Sequence, residues 1–406
     1  MGRSTDAAKV EGAQADGMQE SPSRLFTPAF IALTLSELAY FTAAGLLIGI
    51  TPFFVTGPLR SDEAGLGLVA GAFGVTTLLL RPYAGRMADR RGRRPLLIGG
   101  ALLCALAVLG HTLTADLGIL IGLRLLLGVA EALYFVAAIA VLVDVAPPGR
   151  AGEAISYNSL ALYLGIAIGP ILGQLLLDAG GFNAAWGGAF GLALVATLLA
   201  TRIPETAQPA AVADATPQPL IHRAAIGPGL ALFTGVAAMS GFFLLAGPHA
   251  ERMGLEAWSL TFLVFGGVVV GCRIAFARLP DRVPPMLLGA AALAMCAIGL
   301  TVTALSSGIG GLLVGVTLLA IGVAFMTPAL FAATFASVAP SERGAASGTA
   351  TLFIDLGFGG GPLVIGLVAA AGGIPVAFGV GAAIALAGAA GTLIVPRLAR
   401  QMASAT

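Results

Sequence analysis

Apolar runs of roughly 18 to 25 residues, each long enough to cross a hydrocarbon layer about 30 Å thick as helix, recur from residue 28 almost to the end of the chain. That recurrence leaves few folds open. A backbone in hydrocarbon must satisfy its own hydrogen bonds, so only helices or a closed barrel can span, and these runs lack the alternation of barrel strands. Composition agrees, with 58% hydrophobic and 10% charged residues among 406, where a soluble domain is about a quarter charged. The expected fold is an all-α membrane protein of 12 transmembrane helices. Its spans fall near 28–54, 65–84, 96–114, 117–143, 155–177, 184–202, 226–247, 258–277, 286–306, 311–336, 347–371 and 375–395.

The placement of charge orients those spans. Of 21 basic residues, only Arg60 and Arg252 fall in loops on one side, while Arg86, Arg90, Arg91, Arg93 and Arg94 share a single loop on the other. The Arg-rich side is therefore expected to be cytoplasmic, with both chain ends there. Trp186 and Trp258 each begin a span at the opposite side and are expected at the headgroups. Residues 1–24 are polar and without an apolar core, so they read as a disordered cytoplasmic tail and not a signal peptide. Residues 203–225, rich in Ala, Pro, Gln and Asp, read as a cytoplasmic linker between a six-helix bundle at 25–202 and another at 226–397.

The two bundles repeat. At an offset of 192, Arg81, Arg86, Asp89 and Arg90 align with Arg273, Arg278, Asp281 and Arg282, and Gly165, Gly169 and Pro170 align with Gly357, Gly361 and Pro362. With small drift, Pro95 and Gly99 match Pro285 and Gly289, and Pro147 and Arg150 match Pro340 and Arg343. Composition alone does not place Arg, Asp, Gly and Pro in the same order twice. Two bundles related by a pseudo-twofold axis along the membrane normal follow, a build that holds substrate between the repeats near the midplane.

The loop Gly85-Arg86-Met87-Ala88-Asp89-Arg90-Arg91-Gly92-Arg93-Arg94-Pro95 resembles the signature loop of the major facilitator superfamily nearly position for position. Arg124-Leu-Leu-Leu-Gly128 is similar to that family's fourth-helix motif, with Leu127 where many members carry glutamine. Gly165-Ile-Ala-Ile-Gly169-Pro170-Ile-Leu-Gly173-Gln174 resembles the motif of proton-coupled drug exporters, Gln174 replacing the usual second glycine. The resemblance covers residues 25–397 and implies alternating access, driven by a proton gradient in the drug:proton antiporter type.

Several residues stand out as candidates for gating. Gly85 and Gly92 permit a tight turn, Asp89 can cap a helix or pair with an Arg such as Arg90, and its repeat counterpart is Asp281, as Arg273 is the counterpart of Arg81. Arg81, Asp144 and Arg150 lie toward the Arg-rich ends of their spans, where an ion-pair network would close that side. Gly165, Gly169 and Gly173 form a smooth stripe at four-residue spacing, and Pro170 removes a backbone donor within it.

Charges within spans are costly unless they face a partner or a polar cavity. Glu37, Arg124, Glu131 and Asp355 are the four, and they are the candidates for proton coupling or substrate contact. Arg124, Gly128 and Glu131 share a face of span four with Tyr134, which makes Arg124 the expected partner of Glu131. Glu37 lies about 13 Å into span one at 1.5 Å per residue, with Tyr40 and Phe41 beside it. Asp355 has Tyr163 as its repeat counterpart, and Asn158 offers neutral hydrogen bonds from span five. His111, His222 and His249 read as solvated or interfacial, and Cys104, Cys272 and Cys296 as thiols inside spans, without metal spacing.

No nucleophile with a positioned base appears, and Lys9 in the tail is the one lysine, so neither an enzyme nor an ATP-driven motor is expected. The leading expectation is a secondary active transporter of the bacterial cytoplasmic (inner) membrane, exporting a small amphipathic or cationic molecule in exchange for protons. It would act as a monomer with lipid, substrate and protons as its partners, and with no cofactor, metal or nucleic acid. Proton-driven or facilitated uptake of a metabolite is the alternative, and a sensor or membrane enzyme the remote one.

Overall fold

The structure is a computed structural model and describes residues 24–147, 150–206, 221–336, 338–339 and 342–404. The expected tail at 1–24 and most of the linker therefore lie outside the described residues. Among those described, ten helices are long and apolar enough to cross a membrane. They include α1 (Pro28–Thr56), α2 (Glu63–Arg91), α3 (Arg93–His111) and α4 (Leu117–Val145). The helix Ala151–Ala200 is broken at Gly180 and Gly181, the latter at φ 71°, and comprises α5 (151–179) and α6 (182–200). The second half holds α7 (Arg223–Arg252), the 16-residue α8 (Leu260–Ala275), α9 (Pro285–Leu305), α10 (Ile309–Ala336), α11 (Arg343–Gly372) and α12 (Ile374–Ser404).

The break at Gly181 makes two antiparallel spans. Gly165, Gly169 and Gly173 meet successive residues of α1 from Phe41 to Ile50, so α5 runs parallel to α1. Ser36 meets Ala196, and Phe54 meets Trp186, so α6 returns in the opposite sense. Local chemistry fixes other ends. Thr27, Asp62 and Asp116 cap α1, α2 and α4 by accepting from backbone N–H groups of Phe30, Gly65 and Ile119, satisfying donors that the first helical turn leaves orphaned.

Lipid offers helices no hydrophobic gain on association, so close backbone approach must supply it. Small residues do so at matching places in each half. Gly169 meets Gly45 between α5 and α1, and Gly361 meets Ala237 between α11 and α7, each residue shifted by 192. Gly100 meets Ala130 between α3 and α4, and Gly322 meets Ala292 between α10 and α9, with the glycine on the other partner. The crossings between halves repeat as well: α2 meets α11 at Gly74 and Gly359, while α8 meets α5 at Gly266 and Ala167. Large apolar side chains such as Leu79, Leu106, Leu198 and Leu367 stay exposed around the outside, as lipid-facing helices require.

Three expectations change in the structure. The helix α2 continues to Arg91, so Gly85 lies inside it and only Gly92, at φ 96°, makes the turn of the Arg-rich loop. Trp186 and Trp258 are buried between helices, packed on Phe54 and Phe53, because each indole points into the bundle and not toward headgroups. His111 and His249 are buried too, His111 with Nδ1 2.8 Å from the Ala107 carbonyl.

Candidate functional site

The α1 face that packs on α4, α5 and α6 carries a polar cluster. Glu37 is 2% exposed. Asn158 donates to its Oε2 at 2.5 Å and accepts from Thr34 Oγ1 at 2.9 Å, while Oε1 has no hydrogen-bond partner among the described residues. One turn on, Tyr40 stacks on Tyr134 with centroids 4.2 Å apart, and its hydroxyl lies near Glu131. Ser36 spends its one hydrogen on the Ala196 carbonyl at 2.8 Å, so Tyr134 donates to Ser36 Oγ at 2.7 Å. Phe41 meets Phe135 edge-on, and the Arg81 guanidinium lies 5.0 Å over the Phe135 ring.

Arg81 joins this cluster to the other half. Its Nε lies 2.7 Å from Oδ2 of Asp355 on α11, a carboxylate only 3% exposed. The repeat-related contact has different chemistry. Arg273 on α8 faces Tyr163 on α5, with Nη2 3.1 Å from its hydroxyl and the guanidinium carbon 4.4 Å over its ring, and Nη1 donates to Ser159 at 3.1 Å. One seam between the halves is thus an ion pair, and the other a contact between a cation and a neutral ring.

The expected pairing of Arg124 with Glu131 is absent. Arg124 donates to Thr51 on α1, and among the described residues it forms no ion pair with Glu131, which lies near the Tyr40 hydroxyl. Seven residues of helix put the two about 10 Å apart along α4. Beside Arg124, a cavity of about 110 Å³ opens between the halves, lined by α1, α2, α4, α7 and α11. On the same side of the membrane as that cavity, further contacts join the halves. Arg252 pairs with Glu63 at 2.8 Å, Gln174 donates to the Glu256 carbonyl at 2.7 Å and accepts from Ser259 N at 3.1 Å, and Phe53 packs on Trp258.

Arg81 and Asp144 do not meet: Arg81 turns inward to Asp355 and Asp144 pairs with Arg93, while Arg150 pairs with Glu153 one turn along its own helix. Asp89 and Arg90 are exposed and form no ion pair among the described residues, and the Asp281 side chain lies outside the described set. What ties down the Arg-rich loop is Glu205, just past α6. It accepts from the backbone N–H groups of Arg93 and Arg94 at 2.9 and 3.1 Å, while Arg94 donates to the Thr201 carbonyl at 2.7 Å. The residue preceding α3, Gly92, has no side chain to cap it, so Glu205 caps α3 from across the bundle. An acid at the foot of a span was the signal for this, but nothing in sequence fixed its target. Gly92→Ala should cost about 1–3 kcal/mol, since it forces a side chain to φ 96° and into Glu205. Thermal unfolding of the purified chain measures it.

Two pseudosymmetric six-helix bundles, joined through ionisable side chains within the apolar interior, define a secondary transporter. Residues 33–332 match the Major Facilitator Superfamily. The chain is 32% identical over 400 residues to an MFS-type transporter of Burkholderia mallei, spanning 91% of this chain and 92% of that one. It is 28% identical over 361 residues to the MFS-type transporter YhhS of Escherichia coli K12, spanning 86% and 87%. Similar solved structures include the human organic anion transporter MFSD10, with TM-score 0.70 and 18% identity over 90% of this chain and 99% of that one. The nucleoside transporter NupG reaches TM-score 0.73 at 13% identity, over 90% and 99%. A bacterial homologue of the human lysosomal transporter Spinster reaches 0.73 at 16%, over 91% and 96%. The chain belongs to the Major Facilitator Superfamily and is a multi-pass membrane transporter, not an enzyme.

Proposed function

We propose that this transporter exports a small amphipathic molecule across the bacterial cytoplasmic membrane in exchange for protons, acting as a monomer with its Arg-rich face and both chain ends in the cytoplasm. The observation that carries this reading is the Arg81–Asp355 pair. A proton on Asp355 neutralises one partner of the main charged contact between α2 and α11, so proton uptake and loosening of that seam are the same event. Coupling of this kind needs no cofactor, because the gradient supplies the work. Glu131 and Glu37 lie inward of the seam, linked to it through Tyr40, Phe135 and Tyr134, and serve as further proton-holding groups.

The likeness of the Gly165–Gln174 run to exporters supports outward transport, and the close fit of that stripe against α1 would supply a rigid lever for rocking one half. A cationic cargo finds less support than an amphipathic one. The cavity between the halves presents Arg124 and apolar side chains, and among the described residues no carboxylate lines it.

Everted membrane vesicles test the reading. With an imposed proton gradient, a panel of amphipathic compounds should include some that release protons on addition, and Glu37→Gln should weaken that release several-fold while leaving substrate counterflow. Vesicles in which no compound moves protons, or intact cells that accumulate the compounds and do not lose them, would replace export with uptake or facilitated passage.

A further inference from the structure

The cavity beside Arg124 carries more information than its position. Leu47, Phe73, Phe243 and Phe358 give it an apolar wall, and the charged group that reaches it is the Arg124 guanidinium. That side chain is 8% exposed, and among the described residues no carboxylate lies within 4 Å of it. Among the described residues its one hydrogen-bond partner is the Thr51 hydroxyl, whose own hydrogen goes to the Leu47 carbonyl at 2.6 Å, so Thr51 acts as a fixed acceptor that aims the guanidinium. The Nε–H is buried and has no acceptor among the described residues.

A buried, oriented cation with a free donor and no counter-charge is costly in apolar surroundings unless something completes it. Two less deeply buried arginines of the interior differ. Arg81 has Asp355, and Arg273 has Tyr163 and Ser159. Among the described residues, only at Arg124 does an unpaired guanidinium donor belong to a side chain lining the cavity between the halves. A guanidinium offers a planar edge of N–H donors that matches a carboxylate or sulfonate, and the aromatic and aliphatic wall suits an apolar body behind that head group.

We infer that the cavity beside Arg124 binds an amphipathic organic anion, its acidic head group on the Arg124 guanidinium and its apolar body against Phe73, Phe243 and Phe358. This rests on the transport reading above only in taking the cavity as the substrate's. Ser240, the remaining polar side chain at the wall, donates within its own bundle to the carbonyls of Ala237 or Gly357 and adds no charge preference.

The test is equilibrium binding to the full chain in nanodiscs without a gradient, using three probes of one shape: naphthoate, neutral naphthamide and cationic naphthylmethylammonium. Naphthoate should bind saturably and at least about tenfold more tightly than either of the others. Arg124→Gln should erase that preference and Arg124→Lys should keep part of it. Phe243→Ala should weaken all three probes alike without changing their order. Equal affinity for the three, a preference for the cation, absence of naphthoate binding, or an unchanged preference in Arg124→Gln overturns the inference. If Arg124→Gln does not fold, the ranking in the unmodified chain decides alone. Naphthoate binding without proton-coupled transport would leave the anion site standing and remove the coupling, and proton-driven export of the cation would do the reverse.

Discussion

Asp355→Asn is expected to destabilise the chain by about 3–5 kcal/mol, because it leaves Arg81 as a cation without its counter-charge among the helices. Removing both charges, with Arg81→Gln added, should recover most of that loss, since two neutral polar side chains cost far less than one unpaired ion in low dielectric. Thermal unfolding of the four proteins completes a double-mutant cycle. A double variant as unstable as the sum of its parts would mean that the two residues are not energetically joined. Transport should separate from stability in the same set. The double variant, although folded, should lose gradient-driven movement of substrate while still exchanging it in counterflow, because it has no carboxylate left at the α2–α11 seam to take a proton. Retention of gradient-driven transport in that variant would move coupling to Glu37 or Glu131.

The second large effect is expected at the glycines where backbones touch. At Gly169 an added side chain meets the backbone of Thr42, Gly45 and Leu46 on α1, which cannot swing aside as a flexible side chain would. Gly169→Val should therefore overpack a permanent joint within one bundle, costing upwards of roughly 3 kcal/mol and yielding little folded protein. At Gly74 the added atoms meet the backbone of Phe358 and Gly359 across the seam between halves. Two bodies that rock can part there, so Gly74→Val should fold and instead shift the chain out of the arrangement described. Spin labels replacing the exposed Leu68 on α2 and Leu367 on α11 read the separation directly. An unchanged distance distribution with full transport in Gly74→Val would mean that this crossing stays fixed through the cycle.

Much of this was legible before any coordinates, and the reason is periodicity. Long apolar runs specify helices in lipid, and the offset of 192 that aligns Arg81 with Arg273 also relates the helix crossings at Gly169 and Gly361. The polar interior was legible one residue at a time, since any charge within a span is conspicuous. Its pairings were not. Arg81 and Asp355 are far apart in sequence, and which rotation of α2 brings them together depends on how two bundles dock. The same limit explains Trp186 and His111, whose depth in the membrane could be counted but whose direction about the helix axis could not. Glu205 escaped notice because a cap supplied across the bundle has no spacing in the chain to reveal it.

The two seams differ in how they respond to a proton. Protonation can silence the contact of Arg81 with Asp355, but no proton available in a cell cancels the attraction of Arg273 for the ring and hydroxyl of Tyr163. A chain with two acidic seams could come apart at either, and protons would then leak through cycles that carry nothing. If protons drive the cycle as proposed, motion would start at the Arg81–Asp355 contact of α2 and α11 while the Arg273–Tyr163 contact of α8 and α5 still holds. Under the proton-coupled reading proposed above, this asymmetry within the repeat would work as an escapement, tying each advance of the bundles to a proton admitted at α2 and α11.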